Sequence, residues 1–182
     1  MYNPDKHHRR SVRIRNYGYN NGFYSVTLCC ENRVCIFGKI KNDTMQLNDY
    51  GEIAQKEWQR TTEIRKNVKL HEFIVMPNHI HGILEIVPAQ PVGARRALPR
   101  INDLHSSRFQ NQGRGTLSSI IGAYKSSVSK QIHETGFIGK IWQRNFYEQV
   151  IRDEQSYQNI SEYIMNNPMN WQNDELFQLL LE

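Results

Sequence analysis

Leu70-His71-Glu72-Phe73-Ile74-Val75, then Met76-Pro77-Asn78, then His79-Ile80-His81-Gly82-Ile83-Leu84-Glu85-Ile86-Val87, reads as strand, turn and strand. So short a connection favours antiparallel neighbours. In the first strand His71, Phe73 and Val75 alternate with Leu70, Glu72 and Ile74 until Pro77 interrupts. In the second, a period of two puts His79 and His81 on one face and Ile80, Leu84 and Ile86 on the other. Two imidazoles then project together from a surface that the residue between them anchors in a core. Such a pair can grip a metal ion, and a metal ion near a basic surface suggests phosphodiester chemistry.

Working outward, Phe23 to Cys30 alternates as a strand, with Tyr24, Val26, Leu28 and Cys30 on one face and Ser25 and Thr27 opposite. A loop runs through Asn32 to Gly38. Asn48 suits the N-cap of a helix from about Asp49 to Lys66, with Ile53, Ala54, Trp58, Thr61 and Ile64 as its less polar stripe. Downstream, Thr116 caps a helix on which Leu117, Ile120, Ile121, Tyr124, Val128 and Ile132 recur at helical spacing, and Gly136 ends it. Ile141 to Ile151 carries a strand with Phe146, Glu148 and Val150 on one side. Asp153 caps a final helix that Pro168 stops. No internal repeat is present. The order predicts an α+β fold, an antiparallel sheet flanked by helices.

The 182 residues form one expected domain, 1-182, with a basic N-terminal arm over 1-21 and a mobile basic loop over 88-115. Hydrophobic residues at 38% are too many for a disordered chain. The 23 basic and 18 acidic residues give a formal charge of +5, so placement matters more than the sum. Lys6, Arg9, Arg10, Arg13 and Arg15 crowd the arm, and Arg95, Arg96, Arg100, Arg108 and Arg114 crowd the loop, whereas the segment from Met169 is acidic. Clustered cations suit a phosphate backbone, although solvated loops have the same composition. Cys29, Cys30 and Cys35 lack zinc-site spacing and read as free thiols in a reducing compartment. The start lacks an apolar leader, and no stretch approaches the roughly 20 apolar residues of a membrane span. The expected localisation is cytoplasmic, with no membrane partner.

The last helix adds chemistry to the histidine pair. Tyr163 and Asn167 are four apart, hence about 40° apart around the axis and one turn along it. Asn167 can offer a carbonyl oxygen as a third ligand and Tyr163 a phenol oxygen beside the same metal, while Ile160 and Ile164 bind the helix to the body. Tyr124, the rival phenol, sits on an apolar stripe and reads as core. Tyr147 either stacks on a base or packs against Trp142. Lys125, Arg144 and Arg152 are candidate DNA-binding residues, through phosphate contacts. His7, His8, His105 and His133 lack a partner pattern.

His79-Ile80-His81 resembles the His-hydrophobic-His motif of single-strand-specific tyrosine nucleases, and Val75 to His81 as a whole resembles insertion-sequence transposases with one catalytic tyrosine. Ile141-Trp142-Gln143-Arg144-Asn145-Phe146-Tyr147-Glu148, Ile151-Arg152-Asp153-Glu154 and Tyr163-Ile164-Met165-Asn166-Asn167-Pro168 resemble the REP-associated tyrosine transposases. The likeness runs from about Phe23 to Trp171, with the basic loop least matched. It implies a ferredoxin-like or RRM-like nuclease fold. It makes Tyr163 the catalytic residue and His79, His81 and Asn167 the metal ligands, with Mg²⁺ or Mn²⁺ as cofactor. The implied partner is single-stranded DNA with hairpin (REP-like) elements and an adjacent unpaired tetranucleotide. Insertion-sequence relatives work as dimers and the REP-associated ones resemble monomers, so a monomer or a homodimer is implied. Two departures stand out: Gln149 occupies a position where many relatives carry histidine, and the C-terminus is short beside the regulatory tail of some relatives.

The chemistry wants these residue types. A phenol with pKa near 10 is only about one-thousandth ionised at neutral pH, so it needs help from a cation on the phosphate. Mg²⁺ prefers oxygen ligands while Mn²⁺ accepts imidazole readily; activity with either ion and tighter binding of Mn²⁺ are expected. The expected function is metal-dependent cleavage and rejoining of single-stranded DNA near hairpins through a 5′-phosphotyrosine. Two alternatives stay open: a domesticated DNA-binding module that does not cut, and a phosphodiesterase that acts through water.

Overall fold

The computed structural model describes residues 21–88 and 115–174. Nearly all of the basic arm and of the basic loop, the last eight residues, and with them His7, His8 and His105, lie outside the described residues. Among those described, the elements are β1 (Gly22–Cys29), β2 (Gly38–Lys41), β3 (Thr44–Leu47), α1 (Asp49–Ile64), β4 (Val68–Val75), β5 (His79–Ile86), α2 (Leu117–Glu134), β6 (Tyr147–Ile151) and α3 (Glu154–Asn166). The main sheet has the order β4-β5-β1-β6, with every neighbour antiparallel. The expected α+β class and antiparallel sheet are therefore observed.

The sheet has two covered faces because its central strands alternate. Tyr24, Val26 and Leu28 of β1 and Ile80, Leu84 and Ile86 of β5 are buried against Ala54 and Trp58 of α1 and against the apolar stripe of α2. On the opposite face Ile83 meets Ile151 and Ile164, with Ile160 and Tyr157 of α3 packed around them. The helices start where the caps predict: Asn48 accepts from the Gly51 N–H at 3.0 Å and Asp153 from the Ser156 N–H at 2.8 Å. Gly82 is a close approach, since a Cβ there would stand 2.6 Å from the Trp58 ring. That ring stacks on Phe73 with centroids 4.8 Å apart.

Several expectations need correction. A hairpin, β2–β3, fills the stretch between the loop and α1, and its turn residues Asn42 and Asp43 both have positive φ. The stripe of α1 ends early: Ile64 is 66% exposed, and Glu57 is buried instead, where the Ser127 hydroxyl and Arg60 hydrogen-bond its carboxylate. The strand expected over Ile141 to Ile151 is shorter. Residues 141–146 form an irregular segment, tied by a bridge between Cys30 and Trp142, and pairing begins at Tyr147. The three cysteines are unpaired thiols. No helix among the described residues is long and apolar enough to cross a membrane.

Candidate active site

The turn Met76-Pro77-Asn78 is locked by backbone bonds: Met76 N donates to His79 O, Cys30 N to Asn78 O and Phe37 N to Pro77 O. It delivers His79 as the first residue of β5, with His81 two along on the same face. Both imidazoles are buried, and their centroids stand 4.5 Å apart. Ile80, between them, is fully buried on the opposite face.

Each ring is held by its Nδ1. The Asn78 amide donates through Nδ2 to Arg33 O at 3.1 Å, which turns its Oδ1 toward His79 Nδ1 at 2.8 Å. An amide oxygen only accepts, so His79 Nδ1 carries the proton and Nε2 keeps its lone pair. His81 Nδ1 meets Thr27 Oγ1 at 2.8 Å. The two Nε2 atoms, and Oδ1 of Asn167, are buried without a hydrogen-bond partner among the described residues. A buried orphan of this kind costs about 1–3 kcal/mol, a cost that a bound ligand could offset. Burial pushes His79 well below the usual imidazole range, with His81 and Arg33 adding to it and the Asn167 side chain opposing. Burial also brings His81 down to about 4. Both rings are neutral at neutral pH, the form that binds metals.

A carboxylate completes the group. The chain leaves α3 through Asn167, whose side chain is buried, and turns at Trp171–Asn173. The Trp171 ring covers His79 at 6.0 Å, and Asp174 is buried with Oδ2 3.9 Å from His79 Nε2. Ligand atoms of His79, His81 and Asp174 all lie within 4.8 Å of one another. Donor atoms about 2.0–2.2 Å from a common ion stand roughly 3–4 Å apart, so this set could hold a divalent cation after a small rotamer adjustment. Two imidazoles with oxygen donors fit such an ion. Sequence reasoning missed Asp174. It has no periodic signal, and only its place one short turn beyond Trp171 brings it to the histidines.

Tyr163 projects from α3 with half its surface exposed, its ring edge-on to His81 at 5.2 Å between centroids. α3 is fixed beneath it. Tyr157 and Ser161 both donate to Glu72 of β4, at 2.8 and 3.1 Å, and Ile160 and Ile164 seat in the apolar layer. Tyr163, His79, His81 and Asn167 are thus brought together. Tyr124 is not among them: it is buried, and its hydroxyl donates to Ala54 O at 2.9 Å. Arg144 and Arg152 are exposed at either end of β6. Lys125 is a brace, donating to Gln143 O at 2.7 Å and Asn145 O at 3.0 Å, and burial lowers its ammonium to about 8.

A protein of Haemophilus influenzae (strain Rd), itself uncharacterized, is 42% identical over 178 residues, 97% of each chain. No family model matches. Among solved structures, a REP-associated tyrosine transposase bound to a REP hairpin superposes with a TM-score of 0.57 at 19% identity, over 87% of this chain and 73% of that one. A transposase candidate from Deinococcus radiodurans R1 superposes at a TM-score of 0.43 with 15% identity, over 85% and 95% of the two chains, too distant to carry an argument.

Proposed function

The chain belongs to one family with the Haemophilus influenzae protein and has the fold of the REP-associated tyrosine transposase, and from that premise we propose that it cuts and rejoins single-stranded DNA as a metal-dependent tyrosine transposase of the REP-associated type. One observation carries the reading: a half-exposed phenol on a fixed helix packs 5.2 Å from one of two buried imidazoles whose Nε2 atoms are both orphaned. A phenol beside two imidazoles and open to solvent is placed where a nucleophile for a metal-bound phosphate would stand.

His79, His81, Asn167 and Asp174 are the residues that would hold the cation, Mg²⁺ or Mn²⁺, which when bound polarises the scissile phosphate and offsets its developing charge. The protein supplies the rest. Tyr163 attacks phosphorus through its phenol oxygen, and its proton passes to water, which the half-exposed ring admits. The bond from phosphorus to the sugar 3′-oxygen breaks, and that oxygen takes a proton and leaves as a hydroxyl. The 5′-phosphate stays esterified to Tyr163. One phosphoester is lost and one gained, so rejoining to another 3′-hydroxyl needs no outside energy. Holding Tyr163 on α3, which Glu72 ties to the sheet, keeps attacking and leaving oxygens in a fixed relation.

The related structure holds a REP hairpin, and we carry that ligand class over: hairpin DNA with an unpaired flank. Arg144 and Arg152 serve as phosphate contacts, with Lys125 bracing the segment that bears Arg144. A DNA substrate agrees with work in the cytoplasm. The test is labelled hairpin DNA with a single-stranded flank, incubated with Mg²⁺ or Mn²⁺ and run on a denaturing gel. A protein–DNA band that Tyr163→Phe abolishes and Tyr124→Phe leaves supports the reading. Binding without scission identifies a domesticated, non-cleaving module. Free cleaved ends that survive Tyr163→Phe identify a water-using phosphodiesterase.

A further inference from the structure

Where β1 ends, the chain makes a tight turn whose last residue comes back to the histidines. Cys30 N donates to Asn78 O at 2.9 Å, and Arg33 N closes the turn on Cys30 O at 3.2 Å. Asn32 and Arg33 both lie in the left-handed region, with φ of 51° and 56°. Asparagine tolerates that conformation, whereas arginine adopts it at a cost, and such strain persists only where the surroundings hold it. Here Asn78 holds it. Its Nδ2 donates to Arg33 O at 3.1 Å, and its Oδ1 accepts from His79 Nδ1 at 2.8 Å. One amide therefore ties the Arg33 backbone to the His79 ring.

The side chain of Arg33 is harder to account for by packing than its backbone. It is 8% exposed, and its Nη1 is buried without a hydrogen-bond partner among the described residues. A guanidinium stays charged at any working pH, so it cannot relieve its burial by losing a proton. Its charge reaches the site. After burial and His81, Arg33 is the next cause that holds the His79 imidazole below its usual range. It also opposes the rise that burial and the neighbouring thiols impose on Cys30. A fixed cation beside a ring that would bind a metal disfavours a metal arriving alone, and favours one accompanied by negative charge.

We propose that Arg33 is a catalytic residue whose buried Nη1 donates to a non-bridging oxygen of the scissile phosphate beside the metal site. The assignment rests on the function proposed above for the identity of the anion. A planar fork of N–H donors matches phosphate oxygens, and donors fixed before the reaction stabilise the charge on those oxygens as the phenol attacks. The clamped turn supplies the fixing. Arg33 keeps all its protons, and the bonds made and broken remain those between phosphorus, Tyr163 and the 3′-oxygen.

The experiment titrates Mn²⁺ by calorimetry into Tyr163→Phe protein, alone and with saturating hairpin DNA that carries an unpaired flank. The same pair of titrations is repeated with Arg33→Met added. Without DNA, Arg33→Met is expected to bind Mn²⁺ at least as tightly as its parent and to melt no lower, since a buried charge goes and the unbranched stem stays. DNA is expected to tighten Mn²⁺ binding by the parent roughly 5- to 150-fold, and Arg33→Met to lose most of that gain. With Tyr163 restored, Arg33→Met is expected to slow formation of the covalent band by about 100- to 1000-fold. A variant that melts lower and binds Mn²⁺ more weakly without DNA identifies a packing role and overturns the inference. A covalent band formed by Arg33→Met at the parent's rate overturns it as well, and defeats this residue alone. Coupling between Mn²⁺ and DNA that Arg33→Met abolishes, with no covalent band from the unmodified protein, defeats the cutting reaction and leaves Arg33 as a phosphate ligand.

Discussion

Thr27→Val tests the proposed metal site with the least disturbance. The substitution keeps the branched shape on β1 and removes only the hydroxyl that meets His81 Nδ1 at 2.8 Å. Loss of a partner to a ligating imidazole typically weakens metal binding by about 10- to 100-fold, because the ring loses its orientation and tautomer. The effect converts to stability through linkage. A metal at 100 times its Kd stabilises by about 2.7 kcal/mol; the same concentration gives about 1.4 kcal/mol after a 10-fold loss of affinity and about 0.4 kcal/mol after a 100-fold loss. For a chain of this length that removes roughly 3–9 °C of the metal-induced rise in Tm. The metal-free protein should change by only about 0.5–1.5 kcal/mol, the net worth of one hydrogen bond. Titration calorimetry with Mn²⁺ and thermal melts with and without the ion read both quantities. If Thr27→Val bound Mn²⁺ as tightly as its parent while His81→Ala did not bind it, the hydroxyl would have no part in orienting the ring.

Asp174→Asn should weaken Mn²⁺ binding by about 10-fold or more by calorimetry, since a charged oxygen donor becomes a neutral one; unchanged affinity would show that the carboxylate stays outside the coordination shell. Gly82→Ala should destabilise the fold by about 1–3 kcal/mol in urea, because its Cβ would stand 2.6 Å from Trp58; a neutral result would mean that Trp58 moves freely. With chelator present, stability should fall as pH drops from 6.5 toward 4. The unfolded chain binds a proton at His81 that the folded state, with its pKa near 4, refuses, and His79 acts in the same direction. His81 alone accounts for about 3 kcal/mol over the whole range and about 2 kcal/mol by pH 5. Denaturation midpoints that stay flat from pH 7 to 5 would contradict burial of the pair.

Periodicity carried most of the fold and about half of the site. The alternation in β1 and β5 and the stripe of α2 are strong because each buries one face against a large apolar layer, and the structure buries those residues. The hairpin β2–β3 has a weak signal because its turn, Asn42-Asp43, reaches positive φ without glycine, and because each strand has only four residues in which to alternate. The stripe of α1 misled at Ile64, the last residue of the helix, which is exposed although Thr61 one turn earlier is buried. In the site, His79-Ile80-His81 was legible because one strand sets its geometry. The i, i+4 pair of Tyr163 and Asn167 was legible because one helix does. Thr27 and Asp174 were not: one reaches His81 across paired strands and the other reaches His79 after the Trp171–Asn173 turn, and such proximity has no counterpart in linear spacing. Asn78 adjoins His79 in sequence, but only the turn geometry aims its amide oxygen at the ring.

That difference bears on which cation the site prefers. With Asn167 as the only oxygen donor, two imidazoles and a neutral amide would form a weakly charged set, poorly matched to Mg²⁺. Asp174 changes the balance by adding a buried carboxylate whose Oδ2 lies 3.9 Å from His79 Nε2. Coulomb attraction to a divalent ion strengthens there for every metal, yet the two imidazoles still favour ions that accept nitrogen. The expected order is therefore Mn²⁺ above Mg²⁺, with the gap set by the histidines and the absolute affinity by Asp174. Comparing both ions on the Asp174→Asn and His79→Ala proteins separates the two contributions. The first substitution should lower both affinities together, and the second should narrow the gap between them. A gap that survives the loss of His79 would mean that geometry, rather than donor type, selects the ion.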